Sequence, residues 1–77
     1  MKKVKIYSTP TCPHCIRAKK FLEENNVPFE NFDVGADQQK SEEMVKLSGQ
    51  MGVPVLDIEG KIIVGFDKEE IKKELGI

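Results

Sequence analysis

The two cysteines of this 77-residue chain, Cys12 and Cys15, are separated by two residues and stand where a strand pattern gives way to a helix pattern. Residues 3–8 alternate between polar and apolar side chains, which is typical of a β-strand. Pro13 follows the first cysteine at a position suited to the first turn of a helix, where its missing N–H is harmless. The sequence therefore predicts a strand, a short loop and a helix that begins at the cysteine pair.

The remainder of the chain continues as strands and helices. After the first strand, the patterns predict a helix that has Pro13 in its first turn and is ended by Asn25, Asn26 and Pro28, a helix over roughly residues 38–48 and a last helix from the cap Asp67 through Leu75. They predict strands over residues 29–34, 55–58 and 61–64. The first two strands and the helix between them imply a right-handed parallel crossover, and the last two strands form a hairpin. The order β-α-β-α-β-β-α predicts an α/β fold, with one four-stranded mixed sheet flanked by three helices.

Charge and hydropathy narrow the range of partners and locations. Twelve basic residues stand against thirteen acidic ones, so the net charge of −1 gives no reason to expect nucleic acid or an anionic membrane as a partner. We find no apolar stretch typical of a signal peptide or a transmembrane helix. We therefore expect a cytoplasmic protein, in a reducing compartment where a close cysteine pair is catalytic or metal-binding rather than a permanent bridge.

Three roles are open to the cysteine pair. A structural disulfide would close a very short loop and so would remove little entropy from the unfolded chain. A structural zinc site needs four ligands, whereas this chain offers two cysteines and His14 between them, so zinc would require ligands shared across a dimer. A reversible redox pair needs only the two thiols and the strand-to-helix setting, and it is the favoured interpretation, with no metal bound.

The helix setting also assigns roles to the two thiols. Free N–H groups and the helix dipole at the amino end stabilise an anion, which lowers the pKa of a cysteine there. We therefore predict that Cys12 is the nucleophile and that Cys15, one turn further on, resolves the mixed disulfide. Pro13 would fix the geometry between them. Two interpretations of His14 stay open: a charge that supports the thiolate when protonated, or an exposed side chain with little influence.

Three separated segments, IYSTPTCPHCIRAKKFLEENNVPFE, GVPVL and VGFDKEEI, together resemble a known family. In order and spacing they are similar to glutaredoxins of the thioredoxin superfamily, in particular to short bacterial glutaredoxin-like (YruB-type) proteins and to ribonucleotide reductase hydrogen donors. The resemblance implies a single glutaredoxin domain over residues 1–77, a thioredoxin-like fold and a monomer. It also implies a thiol–disulfide oxidoreductase that reduces protein disulfides or glutathione mixed disulfides, with glutathione as cosubstrate and no bound cofactor.

The resemblance further implies a substrate-binding set, which comprises Thr11, Val53, Pro54, Gly65, Phe66 and Asp67. The Val53–Pro54 bond would be cis and would turn the Val53 backbone towards the cysteines for strand-like pairing with substrate; from the residues alone, Pro54 could equally begin a strand. Backbone N–H groups of the segment 65–67 would hold a glutathione carboxylate at a helix amino end. Asp67 would pair with the glutathione amino group, or serve only as a helix cap.

Two positions depart from the family pattern. Thr9 stands where many glutaredoxins have lysine or arginine near the nucleophile, and His14 stands where they usually have tyrosine. The Pro-His dipeptide is instead similar to that of the disulfide-introducing enzyme DsbA. The nearest cationic candidates, Arg17 and Lys20, are expected to form a solvated face. Two alternatives therefore remain: an electron donor reduced by a thioredoxin reductase, and an iron–sulfur module, although cluster-carrying members have Gly-Phe-Ser after the first cysteine.

Overall fold

The computed structural model describes residues 3–77. Its seven elements follow the predicted order: β1 (Val4–Ser8), α1 (Pro13–Glu24), β2 (Phe29–Asp33), α2 (Gln38–Ser48), β3 (Val55–Ile58), β4 (Lys61–Val64) and α3 (Lys68–Leu75). The strands form one sheet in the order β2-β1-β3-β4, in which β1 is parallel to β2 and antiparallel to β3. The predicted four-stranded mixed sheet with three helices is confirmed, and the strand bounds shift by a single residue at most.

One edge of the sheet brings three loops together. In the register of the central strands, Tyr7 near the end of β1 pairs with Val55, the first residue of β3. Val55 pairs in turn with Val64, the last residue of β4. The loop after β1, the loop before β3 and the loop after β4 therefore lie side by side, although they are far apart in the sequence.

Local capping residues fix the helix ends. The carboxylate of Asp37 accepts the N–H of Lys40 at 3.2 Å to begin α2, and Asp67 begins α3 in the same way. Gly49 ends α2 in the left-handed conformation, with φ of 73°, which glycine adopts without steric cost. Within the described part of the chain, none of the helices combines the length and the apolar content needed to cross a lipid bilayer.

Helices cover both faces of the sheet. Under α1 and α3 lies the larger buried cluster, formed by Val4, Ile6, Ala18, Leu22, Val27, Leu56, Ile58, Ile63 and Ile71. Under α2 lies a smaller cluster, formed by Tyr7, Met44 and Val55. The central strands are thus packed on both faces near the edge where the three loops meet, and this packing fixes the positions of the strand ends from which the loops extend.

Tyr7 shows how packing modifies the simple alternation of β1. The alternation places Tyr7 with Lys5 on the face opposite Val4 and Ile6, yet Tyr7 is fully buried because α2 covers that part of the sheet. Its hydroxyl donates to Glu43 of α2 at 2.9 Å. The second face is therefore solvated only away from the helix, a difference that depends on tertiary structure and not on the period of the strand.

Candidate active site

Cys12 caps the amino end of α1 with its sulfur. Its backbone is extended, with φ of −83° and ψ of 116°, and its Sγ accepts the backbone N–H of Cys15 at 3.3 Å. Pro13 occupies the first helical turn. The sulfur thus takes the place of the serine, threonine or aspartate oxygen that usually satisfies these free N–H groups.

The two thiols differ in their exposure. Cys12 is half-buried, whereas Cys15, one turn into α1, is fully buried. Both are free thiols in this structure. Because Cys12 alone of the two reaches the surface, it is the thiol that a disulfide of another molecule can contact first.

The surroundings also move the pKa values of the two thiols in opposite directions. Partial burial works to raise the pKa of Cys12, but the hydrogen bonds from Cys15 and from the backbone N–H groups of Cys15 and His14 outweigh it and hold that pKa below its usual value. Burial raises the pKa of Cys15 to about 11, and the hydrogen bond to Cys12 adds to the rise. Of this pair, Cys12 is therefore the thiol that ionises first and Cys15 the one that keeps its proton.

Lys19 is a cation that acts on this pair. Its positive charge favours the thiolate form and so works to lower the pKa of both Cys12 and Cys15. Arg17 and Lys20, the cationic candidates from the sequence, are exposed side chains. Lys19 lies seven residues after Cys12 and four after Cys15, a helical spacing that could have identified it from the sequence.

His14 and Thr11 lie at the rim of the site. Both residues are exposed. The contribution of His14 to the lowered pKa of Cys12 comes from its backbone N–H. Thr11 lies in the turn before α1, in which the N–H of Cys12 donates to the carbonyl of Thr9 at 3.4 Å.

The loop before β3 brings a backbone carbonyl close to the sulfur of Cys12. The peptide bond between Val53 and Pro54 is cis, as the resemblance implied. The carbonyl oxygen of Val53 lies 3.9 Å from Cys12 Sγ, and Pro54 behind it is buried. The Val53 backbone therefore borders the sulfur of Cys12.

The loop after β4 joins the same edge. The backbone N–H of Gly65 donates to the carbonyl of Pro54 at 2.7 Å, so this donor already has an acceptor within the chain. The side chain of Asp67 accepts the N–H of Glu70 at 3.2 Å, and Phe66 packs against the larger buried cluster. Gly65 is thus tied to the residue that follows Val53, and the Asp67 carboxylate is engaged as a helix cap.

The assembled groups suit thiol–disulfide exchange. A thiolate at Cys12 can attack a disulfide, and Cys15 can then attack the sulfur of Cys12. Across residues 3–77, no group of three or more histidine, cysteine, aspartate and glutamate side chains is arranged to hold a metal ion. A zinc site built on this cysteine pair would therefore need ligands from outside the described residues.

Known proteins resemble this chain in both sequence and structure. The family model described as glutaredoxin matches residues 4–63. An uncharacterised glutaredoxin-like 8.6 kDa protein in the rubredoxin operon of Clostridium pasteurianum is 53% identical over 70 residues, which cover 91% of this chain and 93% of that relative. Glutaredoxin 3 of Escherichia coli K12 is 40% identical over 67 residues, which cover 87% of this chain and 81% of the relative. The crystal structure of a mutant of the thioredoxin-like protein BC3987 matches with a TM-score of 0.92 at 35% identity and covers 100% of this chain and 99% of that chain, so the predicted thioredoxin-like fold is confirmed.

Proposed function

The chain belongs to the glutaredoxin family, a family of thiol–disulfide oxidoreductases, and we propose that it reduces protein disulfides or glutathione mixed disulfides by a dithiol mechanism with glutathione as cosubstrate. The observation that carries the proposal is the contrast between two thiols one helical turn apart. Cys12 holds its sulfur at the amino end of α1 with a lowered pKa, while Cys15 behind it is buried and has a raised pKa.

The reaction transfers two electrons from the cysteine pair to the substrate disulfide. The Cys12 thiolate attacks one substrate sulfur, so a mixed disulfide forms and the other substrate sulfur leaves as a thiolate that takes up a proton. Cys15 then loses its proton and attacks Cys12 Sγ, which forms the Cys12–Cys15 disulfide and releases the second substrate thiol. Two glutathione molecules reduce this disulfide, and they leave as one molecule of oxidised glutathione.

The residues around the sulfur would hold the substrate backbone. Val53, whose carbonyl lies 3.9 Å from Cys12 Sγ, would pair with an extended segment of the substrate by strand-like addition. For the glutathione carboxylate, we assign the backbone N–H groups of Phe66 and Asp67 at the amino end of α3. Thr11, exposed in the turn before α1, would contact the same substrate from the other side.

A thioredoxin reductase is the alternative reductant. Gly65 already donates its N–H to Pro54, which leaves fewer donors for a glutathione carboxylate than the resemblance implied. Thr9 also lacks the positive charge that many glutaredoxins have at its position. With either reductant, we expect a monomer that works in the cytoplasm, where the thiols are kept reduced.

The test compares two reductant systems on the same substrates. NADPH oxidation is followed with a glutathione mixed disulfide and with a protein disulfide, through glutathione reductase plus glutathione or through thioredoxin reductase. Turnover with the glutathione system supports the proposal, and turnover with thioredoxin reductase alone would replace glutathione as the cosubstrate. Cys12→Ser should abolish turnover, whereas Cys15→Ser should trap mixed disulfides with protein substrates and retain deglutathionylation. Full activity of Cys12→Ser would contradict the assigned roles.

A further inference from the structure

The side chain of Gln50 forms two hydrogen bonds with the backbone of Gly52 in the loop before β3, and we call this pair of bonds the Gly52 clasp. Its Nε2 donates to the carbonyl of Gly52 at 3.0 Å, and its Oε1 accepts the N–H of Gly52 at 2.5 Å. Ser48 at the end of α2 supports this arrangement, since its Oγ lies 3.0 Å from the carbonyl oxygen of Gln50 and 2.8 Å from that of Met44. One amide side chain thus satisfies both polar backbone groups of Gly52, and its Nε2 also lies 3.4 Å from Oγ of Ser48 at the end of α2.

The clasp lies next to the backbone that borders the nucleophile. The carbonyl of Gly52 and the N–H of Val53 belong to the same planar peptide group, so a hydrogen bond that fixes the carbonyl also fixes the direction of the N–H. Val53 in turn presents its own carbonyl oxygen 3.9 Å from Cys12 Sγ. The orientation of the Gly52–Val53 peptide is therefore set by a side chain that does not itself contact the sulfur.

Glycine at position 52 makes the clasp possible. A Cβ built on Gly52 would lie 2.6 Å from Oε1 of Gln50, which is too close for the clasp to persist without a shift. Gly52 does not have a positive φ, so alanine would disturb the clasp without straining the backbone. Gln50 and Gly52 thus form one unit, which can be broken from either side.

We propose that Gln50 is a positioning residue for disulfide exchange: through the Gly52 clasp it holds the Val53 backbone in the orientation that receives the substrate beside Cys12. This inference rests on the proposed function, because it concerns the Val53 backbone, which we call the platform, where the substrate of that reaction would bind. It adds a role for a residue that the sequence pattern did not single out. The Val53 backbone is held by the two hydrogen bonds between Gln50 and Gly52 in addition to the packing of Pro54.

Three variants break the clasp in different ways. Gln50→Ala removes both hydrogen bonds, Gln50→Glu keeps an acceptor but loses the donor to the Gly52 carbonyl, and Gly52→Ala displaces the side chain. Gln39→Ala, at an exposed position on α2, is the matched control. For each variant, kcat and KM are measured with a disulfide-containing peptide. The rate of Cys12 alkylation by iodoacetamide and the thermal midpoint are measured in parallel.

Loss of the clasp should weaken peptide binding and leave the thiolate intact. We expect kcat/KM for the peptide to fall about tenfold in each clasp variant, mainly through KM. A displaced Val53 backbone would form weaker hydrogen bonds with the peptide and would align its disulfide less well with Cys12. Alkylation should stay within about twofold of wild type, since iodoacetamide does not use the platform. The double variant Gln50→Ala with Gly52→Ala should be no worse than either single change, because both break the same unit.

Several results would overturn the inference. Peptide reduction by Gln50→Ala at the rate of wild type and of Gln39→Ala would show that the clasp does not position the platform. A parallel fall in alkylation and in peptide reduction would indicate a general structural role, as would strictly additive losses in the double variant. Wild-type protein that reduces no disulfide would remove the proposed function as well, whereas active wild type with equally active clasp variants would remove only this inference.

Discussion

Cys15 donates its backbone N–H to the sulfur of Cys12 at 3.3 Å, while its own thiol is fully buried behind that sulfur. The same residue therefore stabilises the thiolate of its neighbour and is kept protonated by its surroundings. This arrangement distinguishes the accessible thiol of Cys12 from the buried thiol of Cys15 before any substrate binds. It also keeps the Cys15 thiol within one helical turn of Cys12, where, in the proposed mechanism, it would attack the mixed disulfide once its proton leaves.

The asymmetry predicts selective alkylation of the reduced protein. At pH 7 iodoacetamide should modify Cys12 once and leave Cys15 unmodified, because the pKa of Cys12 is lowered and that of Cys15 is raised to about 11. The pH midpoint of the rate should lie below the value of about 8.5 for a free cysteine. Mass spectrometry of the modified peptide measures both quantities. Equal modification of the two thiols in folded protein would contradict the prediction, and equal modification in urea is the control.

Lys19 should tune the reactivity of Cys12. Replacing Lys19 with glutamine removes a charge that works to lower the pKa of Cys12, so the pH midpoint of alkylation should rise. Because solvent screens charges near the surface, we expect this rise to be small. Lys20→Gln is the matched control, since it removes the same charge from an exposed neighbour on α1. A larger rise for Lys20→Gln than for Lys19→Gln would contradict the assignment.

Local signals explain which parts of the molecule the sequence predicts well. Asp67 and Gly49 mark helix ends through interactions with their immediate neighbours, and Pro13 marks a helix start for the same reason. The burial of Tyr7 and the hydrogen bond from Gly65 to Pro54 depend instead on how distant elements pack. No pattern within a single strand or loop contains that information, so these features became visible only in the folded chain.

The raised pKa of Cys15 predicts a loss of stability at alkaline pH. A thiol whose pKa is higher in the folded state favours folding below its unfolded pKa of about 8.5, and this contribution disappears as pH rises towards its folded pKa of about 11. Cys12, with a lowered pKa, works in the opposite direction: its contribution to stability rises with pH until the unfolded pKa of about 8.5 has been passed, so it offsets part of the fall only at the lower end of the window. The free energy of unfolding of reduced protein, measured in urea, should therefore fall between about pH 8.5 and 10.5.

Two controls isolate the thiol from other groups that titrate at high pH. Oxidised protein and the Cys15→Ala variant both lack the Cys15 thiol, so each should show a smaller alkaline fall than reduced wild type. The raised pKa of Tyr7 contributes to all three samples and cancels in the comparison. Identical slopes in the three samples would show that Cys15 ionises equally in folded and unfolded protein.

Tyr7 connects the strand that leads to the cysteines with α2. Its hydroxyl donates to Glu43 at 2.9 Å, and Lys40 pairs with the same carboxylate at 3.1 Å while lying 4.2 Å from the centre of the Phe32 ring. The hydrogen bond from Tyr7, followed by that from Lys40, holds the pKa of Glu43 below its usual range. The contact thus couples a buried hydroxyl to a carboxylate at the surface of the helix.

Tyr7→Phe should destabilise the protein in a pH-dependent way. A carboxylate with a lowered pKa stabilises the fold above its unfolded pKa of about 4.3, and that contribution is lost as pH falls through the folded value. We expect a loss of about 1–2 kcal/mol at pH 7, because the hydroxyl bonds to a charged acceptor, and a smaller loss near pH 2.5. Urea unfolding at both pH values measures it. In a Glu43→Gln background the cost at pH 7 should shrink, since the charged acceptor is gone, and an undiminished cost there would assign the effect to packing alone.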